Sequence, residues 1–233
     1  MISAEQLAVF HNDGFLHVTD LFLPSTVETI RAELSRLLLD PPPDLKFTRE
    51  QSQPAPPRKM RNVCEFSKLI RDACLHPNIV SIAQRILAAP VGFYGDQVLF
   101  KVAYYGSAKP MHQDAAYFRS VPEDSVITFW CALDDASHAN GCMQYVRGSH
   151  RHGLCRHTQM AGTPHLVAQV ADAFLTDVPV QKGDAVIHSC LTLHSTRANT
   201  SNHDRWAILL HFARLDAHFP HKSSTTSPLV ALE

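Results

Sequence analysis

Hydrophobic residues recur at helical spacing in two segments before residue 90. Ser25 to Leu39 carries apolar side chains three and four residues apart after a Pro-Ser start, which predicts an amphipathic helix. Asn78 to Ala88 shows the same spacing, and Pro90 ends the pattern because helical backbone is disfavoured just before a proline. The apolar positions are Val27, Ile30, Leu34, Leu37 and Leu38 in the first segment and Ile79, Ile82, Ala83, Ile86 and Leu87 in the second.

From Val91 onward the pattern changes to short β-branched and aromatic runs separated by Gly, Pro, Asn and Asp, which is typical of strands and turns. The Asn140-Gly141 pair adds a hairpin-type turn signal between two of these runs. We therefore predict helices first, followed by a barrel-like or sandwich-like antiparallel β unit. The predicted strands are Gln97–Tyr105, Val126–Leu133, Met143–Val146, Ala185–His188 and Trp206–Phe212.

Two stretches show neither period. Prolines cluster between residues 41 and 57, and because proline has no N–H and fixes φ, this stretch predicts a loop rather than a core element. A stretch as long as residues 150–182 without a clear pattern is typical of a functional lid. We expect one domain over residues 1–233. Its predicted parts are a helical part at 1–90, a β core at 91–215 that includes the lid at 150–182, and a carboxyl-terminal tail at 216–233.

The composition narrows the class of protein. The chain of 233 residues is 45% hydrophobic and 18% charged, and 21 Lys and Arg balance 22 Asp and Glu, so it lacks the basic excess of a nucleic-acid binder. No apolar run approaches the roughly 18 residues of a transmembrane helix, and the amino-terminal segment does not resemble a signal peptide. The six cysteines form no Cys-x-x-Cys pair, which favours reduced thiols. We expect a cytoplasmic enzyme, monomer or homodimer, with no nucleic-acid or membrane partner.

The candidate chemistry lies in the segment His112-Gln113-Asp114 and in a later pair, His194 and Arg205. If residues 112–114 are extended, His112 and Asp114 project from one face and can converge on one ion. A hairpin centred on the turn-rich residues 199–204 would bring His194 close to Arg205. Two histidines and one carboxylate leave three of six positions open on an octahedral iron, and an arginine fork pairs with a carboxylate.

Some residues have competing interpretations. His188 lies at the same strand parity as His194 and is an alternative metal ligand. Lys59 and Arg61, in the predicted proline-rich loop, could meet an anionic group, but long basic side chains on loops are usually solvated, and we expect solvation here.

The ordered set of short motifs resembles the phytanoyl-CoA dioxygenase-like family of Fe(II)/2-oxoglutarate oxygenases. The resemblance covers nearly the whole chain, although Arg147 stands before Gly148 where that family usually has proline. The motifs are Phe10-His11-Asn12-Asp13-Gly14-Phe15, Met111-His112-Gln113-Asp114, Ala132-Leu133-Asp134-Asp135, Asn140-Gly141-Cys142, Gly148-Ser149-His150, Gly183-Asp184, and His194 to Arg205.

The resemblance implies an α+β, mainly β fold: a double-stranded β-helix (jelly-roll, cupin-like) core with amino-terminal helices packed on one sheet. It implies Fe(II), 2-oxoglutarate as cosubstrate and O2, and its spacing selects His194 over His188. The implied iron ligands are His112, Asp114 and His194. The implied cosubstrate-pocket residues are Arg205, which would hold the distal carboxylate, together with Thr196, Trp130, Gln97 and Lys101.

The resemblance implies a dioxygenase, which we expect to hydroxylate an unactivated C–H bond of a small metabolite or natural-product intermediate with release of succinate and CO2. Asp114 argues against halogenation, because related halogenases leave that ligand position open by using Gly or Ala. Desaturation or cyclisation, and an acyl-CoA or amino-acid-like substrate, remain alternatives. Outside this class, a zinc hydrolase and a non-catalytic cupin-like binding module also stay open.

Overall fold

A computed structural model describes residues 1–170 and 174–220 and the backbone of 230–231. The helices are α1 Ala4–Asp13, α2 Pro24–Leu39, α3 Val63–Phe66, α4 Lys68–Cys74, α5 Pro77–Leu87 and α6 Ala115–Phe118, with a 3-10 turn at Ser149–His152. The strands are β1 Phe15–Val18, β2 Phe47–Arg49, β3 Pro57–Arg61, β4 Val91–Lys101, β5 Lys109–His112, β6 Val126–Ala132, β7 Met143–Tyr145, β8 His157–Gln159, β9 Leu166–Ala168, β10 Thr176–Val178, β11 Ala185–Ser189, β12 His194–Thr196, β13 Arg205–Arg214 and β14 Val230–Ala231.

Two antiparallel sheets form the β core. The larger sheet has the order β1-β11-β6-β13-β4-β3-β2, and β14 also pairs with β4. The smaller sheet has the order β10-β7-β12-β5, and β8 pairs with β9 as a separate hairpin. The chain repeatedly crosses between the two main sheets, as it does from β6 to β7 and from β12 to β13. This arrangement confirms the expected double-stranded β-helix, or jelly roll.

Strand alternation divides the larger sheet into a helix-facing side and an interior side. On β6, Phe129 and Cys131 belong to the main core with the helices, whereas Trp130 packs in a second cluster between the two sheets. The same alternation on β13 turns Ile208 towards the helices and Leu209 inward. The interior side is therefore where the functional residues gather.

The predicted helices at Ser25–Leu39 and Asn78–Ala88 are confirmed by α2 and α5. Proline at the first turn of each helix lacks only an N–H that a helix start leaves unpaired. The buried faces of both helices join the main core, and α5 contacts β4, β6 and β13. The helices thus pack on one face of the larger sheet, as expected.

The amino-terminal part differs from the expectation of helices alone. Strands β1, β2 and β3 lie before residue 90 and extend the larger sheet at both of its edges. The proline-rich stretch expected to be only a loop contains β2 and β3, with Pro57 at the start of β3. Proline is compatible with the first residue of a strand, and Met60 then enters the main core.

Two predicted hairpins are wrong. Asn140-Gly141 does not join paired strands, because β6 belongs to the larger sheet and β7 to the smaller one. His194 and Arg205 likewise begin β12 and β13 in different sheets, so they approach across the interior and not along a ladder.

Several predicted boundaries also shift. The strand predicted at Gln97–Tyr105 begins at Val91 and ends at Lys101. The segment 150–182 contains β8, β9 and β10, while residues 171–173 lie outside the described residues. Of the predicted tail, residues 221–229 and 232–233 also lie outside them.

Candidate metal centre

Three buried side chains converge in the smaller sheet, where the end of β5 lies opposite the start of β12. His112, Asp114 and His194 each offer one ligand atom, and these atoms lie within 4.8 Å of one another. Asp114 Oδ1 is 3.5 Å from His112 Nε2 and 3.7 Å from His194 Nε2. One carboxylate oxygen and two imidazole nitrogens thus face a common point, which is the donor set expected at a facial iron site.

The backbone reaches this geometry differently from the extended segment that the sequence predicted. His112 ends β5 and lies opposite His194 of β12 in the register of the smaller sheet. Asp114 has helical backbone, with φ −61° and ψ −31°, and directly precedes α6. The helical backbone at Asp114 therefore directs its carboxylate towards the imidazoles of His112 and His194.

The two histidines are held in the tautomer that suits a metal. His112 Nδ1 donates to the carbonyl oxygen of Pro110 at 2.8 Å, and His194 Nδ1 donates to that of Thr192 at 2.8 Å. A neutral imidazole that donates through Nδ1 keeps the lone pair of Nε2 free. Both Nε2 atoms are therefore available to a metal ion, as a well-built site requires.

The second oxygen of Asp114 is occupied by protein donors. Asp114 Oδ2 accepts from the Thr128 hydroxyl at 3.0 Å and from His188 Nε2 at 3.3 Å. His188 Nδ1 in turn accepts from the Tyr145 hydroxyl at 3.0 Å. These contacts leave Oδ1 as the ligand atom. His188, the alternative metal ligand considered from the sequence, therefore lies beside the metal centre but donates to the Asp114 carboxylate and is not one of the three converging ligands.

The ionisation of the three candidate ligands suits metal binding. Burial raises the pKa of the Asp114 carboxyl, but His194, His112 and His188 lower it more, so the pKa lies well below its ordinary value. Burial also lowers the pKa of both His112 and His194. The site thus offers one carboxylate and two neutral imidazoles, the protonation states that coordinate a metal.

The amino-terminal motif supports the loop that carries His194. Gly14 ends α1 with φ +83°, and its carbonyl oxygen accepts from Ser189 N at 3.0 Å and from the Thr192 hydroxyl at 2.7 Å. A Cβ at Gly14 would overlap the His150 ring and the Thr192 hydroxyl. The absence of a side chain at Gly14 therefore lets α1 approach the loop whose Thr192 carbonyl orients His194.

Arg205 is a buried cation on the interior face of β13. It is 1% exposed, and its guanidinium carbon lies 5.1 Å from the centre of the Trp130 ring. Arg205 Nε and Nη1, Thr196 Oγ1 and Trp130 Nε1 are all buried without a hydrogen-bond partner among the residues that the structure describes. Burial lowers the pKa of Arg205 to about 10. Buried polar groups are almost always paired, so these atoms indicate a site for an anionic ligand.

Gln97 and Lys101 lie near the centre but have protein partners. The Gln97 amide donates to His211 Nε2 at 3.2 Å, and His211 Nδ1 lies 3.0 Å from Thr128 Oγ1. Because the Thr128 hydroxyl donates to Asp114, these hydrogen bonds link Gln97 to the metal centre. Lys101 Nζ donates to the carbonyl oxygens of Ser107 and Arg197, at 2.5 Å each. Burial lowers the pKa of Lys101 to about 6, with nearby Arg205 contributing. Both residues support the pocket wall.

A cavity of about 650 Å³ connects the metal ligands with Arg205. That volume is in the range of small-molecule sites. Tyr117 is one of its lining residues, as is His165 from the segment predicted as a lid. The other predicted site residues in its wall are His112, Asp114, His194, Arg205, Thr196, Trp130, Gln97 and Lys101.

The sequence profile of the family described as "Phytanoyl-CoA dioxygenase (PhyH)" matches residues 10–207, more than half of the chain. This chain belongs to the phytanoyl-CoA dioxygenase family. It is 25% identical to the peroxisomal phytanoyl-CoA dioxygenase of Homo sapiens over 239 aligned positions, covering 94% of this chain and 70% of that protein. It is 31% identical to the phytanoyl-CoA dioxygenase domain-containing protein 1 of Mus musculus over 121 positions, covering 48% of this chain and 42% of that protein.

Solved structures share the fold. EctD from S. alaskensis with bound Fe has a TM-score of 0.80 at 17% identity, covering 99% of this chain and 87% of that one. The epimerase SnoN in complex with Fe3+, alpha ketoglutarate and nogalamycin RO has a TM-score of 0.77 at 21% identity, covering 98% and 94%.

Membership of the phytanoyl-CoA dioxygenase family makes the chain an Fe(II)- and 2-oxoglutarate-dependent dioxygenase that uses O2. The zinc hydrolase and the non-catalytic module are therefore set aside. No helix in the described ranges combines the length and apolar character needed to cross a membrane. The cytoplasmic location and the oligomeric state stay predictions.

The family motif is altered at Arg147 without disturbing the turn. Arg147 pairs with Asp13 and lies 5.2 Å from the centre of the Phe15 ring. Gly148 keeps its left-handed conformation, with φ +71°. At the position where the family usually has proline, Arg147 thus forms an ion pair with Asp13 of the amino-terminal motif.

Sequence reasoning missed two sets of functional candidates. Thr128 lies in the middle of an apolar run, so nothing in its neighbourhood marked it as a partner of Asp114. Lys59 and Arg61 were interpreted as solvated; both line the cavity, where Lys59 is partly buried while Arg61 stays exposed to solvent. The alternation Lys59-Met60-Arg61, with one buried apolar residue between two basic ones, was the signal that could have placed them on a strand.

Proposed function

We propose that this dioxygenase hydroxylates an unactivated C–H bond of a small-molecule metabolite or natural-product intermediate, with release of succinate and CO2. The observation that carries the proposal is the fully buried Arg205, whose Nε and Nη1 have no hydrogen-bond partner in the described part of the chain, in the same cavity as three converging metal ligands. A buried guanidinium without a counter-charge is unfavourable unless a ligand supplies one. An acidic cosubstrate provides that charge.

The residues present fit both groups. His112 Nε2, His194 Nε2 and Asp114 Oδ1 would hold the iron, and Arg205 would hold the distal carboxylate of 2-oxoglutarate. The Thr196 hydroxyl and the Trp130 indole N–H are two further donors in the same cavity. Iron and 2-oxoglutarate together supply the activation of dioxygen. The protein's part is to orient the cosubstrate and the substrate and to exclude bulk water.

Two features support oxidation of a small molecule. The relative SnoN was solved with nogalamycin RO, a small organic molecule, beside Fe3+ and alpha ketoglutarate. Asp114, which occupies the third ligand position, supports hydroxylation in preference to halogenation. The relative is named an epimerase, so the outcome at the oxidised carbon is the part of the proposal that most needs an experiment.

The proposal is tested by turnover under labelled dioxygen. The enzyme with Fe(II) and 2-oxoglutarate is supplied with a panel of small organic compounds, and succinate and O2 consumption are followed by mass spectrometry and an oxygen electrode. We expect a substrate to accelerate succinate release and to gain one labelled oxygen atom. Succinate release that depends on no compound, or a product without the label, would contradict hydroxylation. His194→Ala is the matched inactive control.

A further inference from the structure

Besides Arg205, Lys101 and Arg71, four basic side chains line the cavity. Lys59 and Arg61 project from the same face of β3, opposite Leu99 and Gln97 of β4. Arg58 and Lys109 complete the group, which we call the basic rim. Strand β3 lies two strands from β13, which is about 10 Å at about 4.8 Å per strand. Strand β4 therefore lies between the backbone of Lys59 and Arg61 and that of Arg205, whereas Lys109 lies opposite Thr196 in the smaller sheet.

The basic rim has more positive charge than its neighbours balance. Arg58 faces Glu50 at 3.7 Å, but the side chains of Lys59 and Arg61 have no ion pair or hydrogen bond among the described residues. Burial, with Arg61 and Lys109 nearby, lowers the pKa of Lys59 to about 7. Burial lowers the pKa of Lys109 to about 8. Lys59 and Lys109 are thus held near one another in the cavity wall at an electrostatic cost, with the exposed Arg61 beside them.

His165 lies between two of these cations and shows that they lack an acceptor. Its Nε2 lies 2.6 Å from Arg58 Nη2, and its Nδ1 lies 2.9 Å from Lys109 Nζ. A neutral imidazole accepts at one nitrogen only, so it cannot accept from both cations at once. Burial and the charges of Lys109 and Arg58 lower the pKa of His165 to about 4, so the ring is neutral near pH 7 and has a single acceptor nitrogen. An anion between these donors would supply the missing acceptor.

The basic rim also lies close to the reaction centre. Lys109 Nζ donates to the Tyr117 hydroxyl at 2.8 Å, and the Tyr117 ring centre is 5.8 Å from that of His112. Tyr117 also accepts from Leu166 N at 2.8 Å, which ties the β8–β9 hairpin to this side of the cavity. A ligand on the basic rim would therefore extend towards the metal ligands.

We propose that the substrate carries an anionic group, a carboxylate or a phosphate, that binds Lys59, Arg61, Lys109 and Arg58. This inference rests on the proposed function, because it assigns the substrate of that same site. Binding of the anion orients the rest of the molecule towards His112 and Asp114 and discriminates against neutral analogues. Arg205 keeps its separate role with the cosubstrate.

The proposal is tested with two anions that mimic the two sources. The anaerobic enzyme is saturated with Fe(II) and 2-oxoglutarate, so that Arg205 is occupied. It is then titrated calorimetrically with inorganic phosphate and, separately, with butyrate. We expect one saturable site for at least one of these anions, and the tighter one indicates whether the substrate is a phosphate ester or a carboxylic acid.

The variants locate the binding site. Lys59→Met and Arg61→Gln should each weaken binding of the preferred anion at least tenfold, while Lys59→Arg should retain it. Lys68→Met, at an exposed lysine on α4, is the matched control and should leave the affinity unchanged. Saturable binding that Lys59→Met and Arg61→Gln leave intact, or no saturable binding of either anion, would overturn the assignment.

Failure of this inference is distinguishable from failure of the proposed function. Each protein is first checked for the visible charge-transfer band of the Fe(II)–2-oxoglutarate complex. A wild-type enzyme that shows the band but binds neither anion contradicts the basic rim alone. An enzyme without the band contradicts the proposed function itself.

Discussion

Replacing Arg205 by methionine separates the two consequences of burying an unpaired cation. Its pKa of about 10, against an ordinary value of 12.5, corresponds to about 3 kcal/mol at about 1.4 kcal/mol for each pKa unit. The charged form is the one disfavoured by folding, so this cost is present at neutral pH in the protein without cosubstrate. Methionine fills similar space without charge. We therefore expect Arg205→Met to stabilise the cosubstrate-free protein by about 1 to 3 kcal/mol.

The same change should have the opposite effect on cosubstrate binding. Removing one member of a buried, hydrogen-bonded charge pair costs about 2 to 5 kcal/mol, so the Kd for 2-oxoglutarate should rise at least about 30-fold. The assays are urea unfolding without ligand and an anaerobic 2-oxoglutarate titration. Arg214→Met, at the partly exposed end of β13, is the control, and we expect it to leave the urea unfolding midpoint unchanged.

The reasoning would be refuted if Arg205→Met destabilised the cosubstrate-free protein while leaving the affinity for 2-oxoglutarate unchanged. That combination would make Arg205 a structural residue with partners in the folded chain. It would leave the unpaired donors at Thr196 and Trp130 without an explanation.

Three further changes test the supporting structure. Thr128→Val removes one donor to Asp114 Oδ2 and should weaken Fe(II) binding about 10- to 100-fold in a competition titration with a chelator, while the melting temperature stays within a few degrees. Gly14→Ala should destabilise the protein by about 2 kcal/mol or more in urea, because its φ of +83° and the contact with His150 both oppose a Cβ; an unchanged midpoint would contradict the packing argument. Lys101→Met should lower the free energy of unfolding by about 1 to 3 kcal/mol, because the carbonyl oxygens of Ser107 and Arg197 lose their donor. It should change the KM for 2-oxoglutarate less than threefold. A larger rise in KM would make Lys101 a cosubstrate ligand.

The sequence could predict what depends on local periodicity. The spacing of apolar residues in α2 and α5 is determined by one buried face, and the apolar runs of β6 and β13 reflect burial on both faces; the structure confirms these elements. The metal ligands were predicted by the resemblance, since the spacing of His112 and Asp114 alone is common. The geometry then brings both together with His194.

What the sequence could not predict depends on pairing between distant segments. A hairpin was expected between His194 and Arg205 because they flank the turn-rich residues 199–204, yet the chain leaves the smaller sheet between them and enters the larger one. Asp114 was expected on a strand, but the next residues start α6. Lys59 and Arg61 face the cavity only because β3 pairs with β4, which no local pattern encodes.

The most direct test of the central claim is an anaerobic titration of the apoprotein with Fe(II) and then with 2-oxoglutarate, followed by visible absorption. We expect a weak charge-transfer band that saturates at one equivalent of each, is lost in His194→Ala and is weakened in Arg205→Ala. Tight binding of Fe(II) without any band on addition of 2-oxoglutarate would contradict the cosubstrate site. Such a result would require another explanation for the buried, unpaired Arg205.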